Sequence, residues 1–234
     1  MIRVYEKRFD GRKFDELRPV KMKVDVVPSA DGSAVVEIGN TKVIASVFGP
    51  KPLHPKHLQN PEKGILRCYY DMMSFSVPER KRPGPTRRSI EISMVMKNAL
   101  ASTLLLEEFP KAVVDVFVEV YEANAGTRCA SITAASLALA DAGVPMRDLV
   151  SAVAVGKVGG MIVLDLTKEE EDHPEGATDI PIAMVGRSGK ITALQLDGAI
   201  TKEELKKALE LGKKGCSILY EMQRKALKAK YGVR

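Results

Sequence analysis

Residues 124–143 read NAGTRCASITAASLALADAG, and this stretch decides how the rest of the chain is arranged. It begins with small and polar residues and continues into an apolar, alanine-rich run, which predicts a buried helix over residues 130–142. Arg128 stands where the two parts meet. A full positive charge at the mouth of a buried helix is costly without a compensating group, so the rest of the chain is expected to explain the charge of Arg128.

Most of the segments before this helix alternate between apolar and polar residues, which is the period of a half-buried strand. They cover residues 21–27, 33–49, 65–77 and 112–123, the second of them divided by a tight turn at Gly39 and Asn40. A basic loop with three prolines, PERKRPGPTRRS (78–89), separates the last two. Apolar residues at three- and four-residue steps then predict a helix that opens near Ser89.

The chain after the buried helix returns to strands and ends in a long helix. Strand patterns cover residues 151–158, 161–167, 179–186 and 190–198, and Thr201 with Glu204 forms a capping box that opens a helix reaching Tyr231. This order predicts an α+β fold with mostly antiparallel sheets. Because no linker rich in proline, glycine or serine interrupts the chain, we predict a single domain over residues 1–234.

The charge of the chain points to a polyanionic partner. The formal net charge is +6, which suits RNA, DNA or nucleotides, although many basic proteins are merely soluble. Aromatic residues make up only 5% and tryptophan is absent, which favours contacts to the phosphate backbone over base stacking.

The cysteines and the N-terminus suggest the compartment. The three cysteines, Cys68, Cys129 and Cys216, lie far apart, so neither a zinc site nor a disulfide framework is expected, and free thiols suit a reducing cytoplasm. The first residues mix acids with bases and do not resemble a signal peptide, and no apolar run approaches the ~18 residues of a membrane span.

Two groups of basic and small residues are candidates for anion binding. Arg87 and Arg88 lie at the start of a predicted helix, where the macrodipole favours anions rather than cations. Gly126, Thr127 and Arg128 combine a flexible backbone, a hydroxyl group and a guanidinium with the first N–H groups of the next helix. The plainer alternatives are exposed arginines beside a basic loop and, for Thr127, an N-cap followed by a surface arginine.

An acidic run in residues 165–181 is the candidate for metal binding or proton transfer. Most of its carboxylates are expected to be solvated loop charges. Asp179 differs because it stands at the start of an apolar strand, where a carboxylate is held rigidly. Such a group can bind a divalent cation or transfer a proton.

In combination, these segments resemble the RNase PH family of phosphorolytic exoribonucleases. The resemblance runs over residues 8–230 and is carried by FDGRKFDELRPV, GNTKVIASVFGP, PTRRSIEIS, the helix stretch quoted first and GMIVLDLTKEEEDHPEGATDIPIAMV. Within the family, FDELRPV and the helix stretch are most similar to the catalytic RNase-PH-like subunit of the archaeal exosome.

The resemblance implies a fold, a reaction and a set of site residues. The fold is an RNase PH-like domain with two βαβα-type halves, mostly antiparallel sheets and a long C-terminal helix. The reaction is 3′→5′ phosphorolysis of RNA to nucleoside diphosphates, reversible as RNA tailing. The implied residues are Gly126, Thr127 and Arg128 for phosphate, Arg67, Arg87 and Arg88 for the RNA 3′ end, and Asp172 and Asp179 for catalysis and Mg²⁺ binding.

The resemblance also implies partners and leaves alternatives open. The partners are RNA, a non-catalytic RNase-PH-like paralogue that forms a hexameric ring of three heterodimers with this chain, and RNA-binding cap proteins. The alternatives are a free-standing homohexameric RNase PH that trims tRNA 3′ ends and a non-catalytic RNA-binding ring subunit. One departure concerns the two aspartates, since Asp172 and Asp179 are one residue further apart than is usual in the family. Glu171 is therefore an alternative to Asp172.

Overall fold

The computed structural model describes Tyr5 and residues 7–174 and 176–232. Within them the chain forms nine strands: β1 (Val20–Val24), β2 (Gly32–Ile38), β3 (Thr41–Pro52), β4 (Ile65–Met72), β5 (Ala112–Glu122), β6 (Val150–Val158), β7 (Met161–Leu164), β8 (Ala177–Val185) and β9 (Ile191–Leu194). The α-helices of this part are α1 (Arg87–Ala101), α2 (Thr127–Asp141), α3 (Lys168–Glu171) and α4 (Lys202–Tyr231). Short 3₁₀ turns occur at Lys56–Leu58 and Leu106–Glu108.

The strands form two sheets. The first has five strands in the order β1-β2-β3-β5-β4, and only its edge strand β4 runs parallel to its neighbour β5. Its β2–β3 hairpin closes with Ile38 opposite Thr41, and Gly39 takes the positive φ of 55° that the two-residue turn needs. The second sheet has the order β7-β6-β8-β9 and is antiparallel throughout.

Helix α2 lies between the two sheets. It packs against β2 and β3 on one side and against β6 on the other, and thirteen of its fifteen residues are buried. Small side chains permit this close approach from both sides. At Gly32 of β2, a Cβ atom would come within 2.2 Å of the Ala142 backbone nitrogen, so the strand and the end of the helix meet backbone to backbone.

The remaining helices complete a four-layer arrangement. Helix α1 lies beside α2 and contacts β4 and β9. Helix α4 covers the far face of the second sheet, where Gly212 packs on Ile182 and Gly215 packs on Leu164. One hydrophobic cluster includes buried residues from both sheets and from α1, α2 and α4. None of the helices in the described part of the chain has the length and apolarity needed to span a bilayer.

The predicted class and the order of the main elements are confirmed. The structure adds α3, a single turn within the predicted acidic loop, and β8 begins at Ala177, so that Asp179 is its third residue and not its first. The other differences lie at element ends. The strand predicted to reach residue 77 stops at Met72, because the chain turns where the Ser76 N–H donates to the Met73 carbonyl. The strand predicted to reach residue 167 stops at Leu164. Helix α2 begins at Thr127, three residues earlier than predicted.

Candidate active site

An open cavity of about 710 Å³ lies where the N-terminal ends of α1 and α2 face α3, β8 and the residues that follow β9. Charged side chains dominate its wall. The lining residues are Arg87, Arg88, Glu91, Arg128, Lys168, Glu171, Asp172, Ala177, Asp179, Pro181, Gln195, Leu196 and Asp197. The fold therefore brings together six of the residues that the sequence nominated, whereas Gly126 and Thr127 are not among the lining residues. The six are Arg87, Arg88, Arg128, Glu171, Asp172 and Asp179.

Arg87 and Arg88 are the first two residues of α1. The helix begins here because Thr86 forms a capping box with Ser89: the Thr86 hydroxyl accepts from the Ser89 N–H at 3.1 Å and the Ser89 hydroxyl accepts from the Thr86 N–H at 2.6 Å. Both arginines are exposed and line the cavity. Cations at the positive end of a helix macrodipole concentrate positive potential at one point, which favours binding of an anion.

The start of α2 is shaped by its backbone. Gly126 is the N-cap with a φ of 64°, no side chain caps the helix, and Ala125 before it also has a positive φ of 58°. Thr127 is thus the first helical residue and not the N-cap, contrary to the plainer alternative. It is buried, and its Oγ1 accepts a hydrogen bond of 3.0 Å from the Tyr70 hydroxyl. Because Ala125 has a side chain, its positive φ stores backbone strain just before the start of α2.

Arg128 is not a surface arginine, since its side chain is only 19% exposed. Its Nη1 donates to the Gln195 amide oxygen, its Nη2 lies 3.9 Å from the Glu91 carboxylate, and its buried Nε has no partner among the described residues. The amide is neutral, and among the described residues no carboxylate forms an ion pair with the guanidinium shorter than 3.9 Å, so its charge is only weakly neutralised. Arg128 therefore offers its positive charge to the cavity.

Asp179 is held firmly at the opposite wall. In a narrow antiparallel bridge its backbone N–H donates to the Asp197 carbonyl and its carbonyl accepts from the Asp197 N–H, both at 2.9 Å. Its Oδ1 is buried and has no hydrogen-bond partner among the described residues. Burial raises the pKa of the Asp179 carboxyl, Arg128 opposes that rise, and the Asp197 carboxylate adds to it. The charged form of Asp179 is thus less favourable here than it is in water.

Glu171 and Asp172 differ in their surroundings. Both belong to the end of the single-turn helix α3, which the Thr167 capping box with Glu170 starts. Burial and repulsion from Asp179 raise the pKa of Glu171. The Asp172 side chain is 61% exposed and forms an ion pair of 2.7 Å with Lys168. Glu171 is therefore the more closely coupled of the two acids to Asp179.

The structure does not bring Arg67 to this cavity. It lies on β4, on the outer face of the first sheet, where its guanidinium pairs with the buried Asp115 carboxylate at 2.6 and 2.8 Å. Its predicted contact with RNA concerns a different surface and stays a prediction.

Sequence reasoning missed Glu91, Lys168, Gln195 and Asp197, which also line the cavity. Glu91 was one polar residue on a helix, and Gln195 and Asp197 were polar positions near a strand end. None of these patterns is distinctive. Only the pairing of β8 with the residues after β9 places Asp197 beside Asp179.

Known proteins share both the sequence and the fold. The model of domain 1 of the 3′ exoribonuclease family matches residues 16–145, and the model of domain 2 of that family matches residues 148–215. The exosome complex component Rrp41 of Pyrococcus abyssi is 58% identical over 96% of this chain and 90% of its own length. The Rrp41 of Archaeoglobus fulgidus is 54% identical over 96% of this chain and 87% of its own length.

Two solved structures have the same fold. Rice Rrp46 superimposes with a TM-score of 0.84 at 27% identity, over 94% of this chain and all of that one. A chain of the Archaeoglobus fulgidus exosome with RNA bound to the active site gives a TM-score of 0.79 at 24% identity, over 92% of each chain. At that identity the second likeness concerns the fold alone.

Proposed function

The chain belongs to the 3′ exoribonuclease family of the RNase PH type, and from this premise we propose that it is the catalytic subunit of an archaeal exosome that degrades RNA by phosphorolysis. The relatives named above, at 54% and 58% identity over nearly their whole length, support its place in such a complex. The charged cavity supports the reaction.

One observation carries the catalytic assignment: Asp179 has a buried carboxylate oxygen with no hydrogen-bond partner in the described part of the chain, and it shares a cavity with Arg87, Arg88 and Arg128. An unsatisfied buried polar group lowers stability. A subunit that only binds RNA has no use for such a group, whereas a catalytic carboxylate needs a raised pKa and a rigid position.

The arginines act on the phosphoryl groups. Arg128 and the first N–H groups of α2 hold inorganic phosphate, and Arg87 and Arg88 hold the 3′-terminal phosphodiester of the RNA. An oxygen of the bound phosphate attacks the phosphorus of that diester, and the bond from phosphorus to the 3′-oxygen of the preceding nucleotide breaks. Negative charge develops on the phosphoryl oxygens, where preorganised guanidinium groups stabilise it.

Asp179 acts on the leaving group. The departing 3′-oxygen takes a proton from the Asp179 carboxyl, whose raised pKa keeps that proton available. The products are a shortened RNA with a free 3′-hydroxyl and a nucleoside diphosphate. Since phosphate and not water is the acceptor, the reaction is a nucleotidyl transfer rather than a hydrolysis, and it runs in reverse as RNA tailing.

Mg²⁺ is part of the proposal, and the residues present fit it. Mg²⁺ in phosphoryl-transfer sites takes one or two carboxylates and fills its remaining positions with water and substrate phosphates. Asp179 would bind the ion through one carboxyl oxygen while the other carries the transferable proton, and Asp172 or Glu171 would supply a carboxylate. Among the described residues, Asp179 Oδ1 has no hydrogen-bond partner and no ready-made group of three ligands occurs. When bound, the ion supplies positive charge to the phosphoryl oxygens.

The proposed assembly is a hexameric ring in which this chain alternates with a non-catalytic RNase-PH-like paralogue, capped by RNA-binding proteins. The exposed positions of Arg87 and Arg88 support it, because two cations at one helix end give a short contact with RNA. Longer contact then comes from neighbouring subunits.

The test is RNA decay by the assembled complex with and without inorganic phosphate. We expect decay only with phosphate, with nucleoside diphosphates as the products. Nucleoside monophosphates released at the same rate in phosphate-free buffer would show hydrolysis and refute the mechanism.

A further inference from the structure

The described part of the N-terminal segment before β1 carries three arginines that the proposed reaction does not use. Arg8, Arg12 and Arg18 all bind the stretch between β7 and the end of α3. Arg8 is buried against the Glu170 carboxylate at 2.7 Å, and both Arg8 and Arg12 donate to the Asp165 carbonyl. This stretch leads directly into the acidic wall of the cavity, where Glu171 and Asp172 lie.

One of these contacts is the buried pair of Arg18 and Asp165. The Arg18 Nη2 and Nε donate to the two Asp165 carboxylate oxygens at 2.7 and 2.9 Å, and the Arg18 backbone N–H donates to Oδ2 at 2.8 Å. The two side chains are 7% and 4% exposed. Asp165 itself has a φ of 56°, an uncommon conformation for a residue with a side chain, so the contact holds a strained backbone.

The same guanidinium also binds the segment before α2. Arg18 Nη1 donates to the Asn124 carbonyl, two residues before Gly126. A Cβ atom at Gly126 would lie 3.4 Å from Arg18 Nη2, so the N-cap of α2 rests directly on this side chain. The Lys168 N–H at the start of α3 donates to the Asn124 side-chain oxygen at 3.1 Å, which joins the same two segments a second time.

We infer that Arg18 and Asp165 are a positioning pair, which fixes the segment before α2 and the acidic segment after β7 relative to each other across the cavity. This inference rests on the proposed function, since these two segments carry the groups assigned there to phosphate and to the leaving 3′-oxygen. Arg18 is not among the residues that line the cavity. It acts through the backbone of residues 124–126 and through the carboxylate that starts the acidic segment.

The chemistry of the two side chains explains why they are suited to this task. A guanidinium is planar and rigid, so it can bind a carboxylate with two nitrogens and a carbonyl with the third at fixed angles, which a lysine ammonium cannot do. A buried ion pair contributes little net stability compared with apolar residues. Its value is geometric, and a misplacement of about 1 Å in a site of this kind lowers the rate by up to ~100-fold.

The experiment compares Asp165→Asn and Arg18→Lys with Asp141→Asn, in the chain assembled with the subunits it needs for activity. Asp141 is a matched control because it is also buried and lies at the other end of α2, where its carboxylate forms an ion pair of 2.7 Å with Lys230. That end is roughly 20 Å away along the helix. Both Asp165→Asn and Arg18→Lys should raise the KM for phosphate and lower kcat by about tenfold or more, with the Kd for RNA unchanged. Asp141→Asn should lower the melting temperature without changing the KM for phosphate, kcat or the Kd for RNA.

Amide hydrogen exchange tests the inference independently of activity. We expect faster exchange in both residues 124–130 and residues 165–172 for Asp165→Asn and for Arg18→Lys, whereas Asp141→Asn should speed exchange only near the C-terminal end of α2. Unchanged exchange in residues 124–130, or kinetics like those of Asp141→Asn, would overturn the positioning role. If wild type shows no phosphate-dependent decay, the proposed function fails and the exchange data still decide the inference.

Discussion

At the scale of single residues, the cavity holds groups that the rest of the molecule does not satisfy. Arg128 has a buried nitrogen without a partner, and Asp179 has a buried oxygen without one, among the described residues. Both are ordinary side chains in an arrangement that lowers stability unless a ligand completes it. Activity and stability should therefore respond in opposite directions to substitutions here.

Asp179→Asn should be inactive and more stable than wild type. Burial raises the pKa of Asp179, and a carboxyl with a raised folded pKa loses its contribution to stability as the pH rises through that pKa. Near pH ~7.5 and with a chelator present, the substitution should therefore raise the free energy of unfolding. Each ~1 kcal/mol gained raises the melting temperature by about 2–4 °C. The difference should vanish below about pH 4, where wild-type Asp179 is also neutral. The rate of RNA decay should fall at least ~100-fold with little change in RNA binding.

Asp115→Asn is the matched control for that measurement. Asp115 is also buried, but its ion pairs with Arg67 and Lys51 hold the pKa of its carboxyl below its usual range. Removing this charge should therefore destabilise the chain at neutral pH. An Asp179→Asn variant that melts below wild type, or that degrades RNA at the wild-type rate, contradicts the assignment of Asp179.

The second acid can be identified by comparing Glu171→Gln with Asp172→Asn. Glu171 is coupled to Asp179, whereas Asp172 is mostly exposed and bound to Lys168. We expect Glu171→Gln to lower kcat by about tenfold or more and Asp172→Asn to change it by less than ~2-fold. The measurement is kcat at saturating RNA and phosphate. The reverse order would restore Asp172 to the role that the family resemblance implies.

The sequence could identify Asp179 but could not choose its partner. Asp179 was recognisable because apolar residues follow it at once, although β8 begins two residues earlier than predicted, so Asp179 lies within the strand. In the run of acids before it, side-chain orientation depends on α3, whose capping box makes a single helical turn and rotates Glu171 and Asp172 to different surroundings. A helix of four residues is too short to show a helical periodicity in the sequence.

At the scale of elements, the N-terminal end of α2 is the part on which the site depends. The left-handed backbone of Ala125 and Gly126 allows the helix to start directly at Thr127 with Arg128 turned toward the cavity. The alanine-rich composition of the helix was enough to predict its burial. Its early start was not predictable, because a glycine N-cap without side-chain hydrogen bonds lacks the serine, threonine or aspartate signal that usually marks the beginning.

Gly126→Ala should disturb this end of the helix. The new Cβ has to adopt a φ of 64° and lies 3.4 Å from Arg18 Nη2, so we expect a loss of about 1 kcal/mol in the free energy of unfolding. Because the shift moves the groups assigned to phosphate, the KM for phosphate should also rise, by at least ~3-fold.

Gly143→Ala is the control at the other end of the same helix. Gly143 has a φ of 70° and open space around its Cβ position. The Gly143→Ala variant should lose a similar free energy of unfolding, measured by chemical denaturation, with no change in the KM for phosphate. Equal kinetic effects of the two alanines would mean that the end of α2 near Arg128 has no special relation to phosphate.

At the scale of the whole molecule, the four-layer arrangement explains how one small chain places basic side chains on one wall of the cavity and acidic side chains on the other. Helices α1 and α2 point their N-terminal ends toward the edge of the second sheet, where β8 and the residues after β9 carry the carboxylates. The sequence predicted the strands and helices that make these layers, since each follows from local periodicity. The parallel pairing of β4 with β5 and the contact of α1 with β9 depend on tertiary packing, which a single sequence does not display.

The net charge of +6 and the position of the arginines make a prediction about assembly. With only 5% aromatic residues, binding of RNA should come from phosphate contacts. Arg87 and Arg88 supply two such contacts at one end of α1, which is too few to retain a strand through successive cleavages. The isolated chain should therefore be weak or inactive in RNA decay, and adding the paralogue should restore an activity that falls steeply with salt.

Replacing both arginines measures their share of that binding. Arg87→Ala with Arg88→Ala should weaken RNA binding by the assembled ring whatever the RNA sequence, and should lower the slope of log Kd against log salt by up to ~2, in proportion to the number of phosphate contacts removed. Lys206→Ala with Lys207→Ala removes the same charge from the exposed face of α4, on the other side of the second sheet, and should leave the slope unchanged. A lone chain that is monomeric and degrades RNA as fast as the mixture would refute the ring. A homohexamer that is active alone would instead identify a free-standing RNase PH, because the additional phosphate contacts would then come from copies of the same chain.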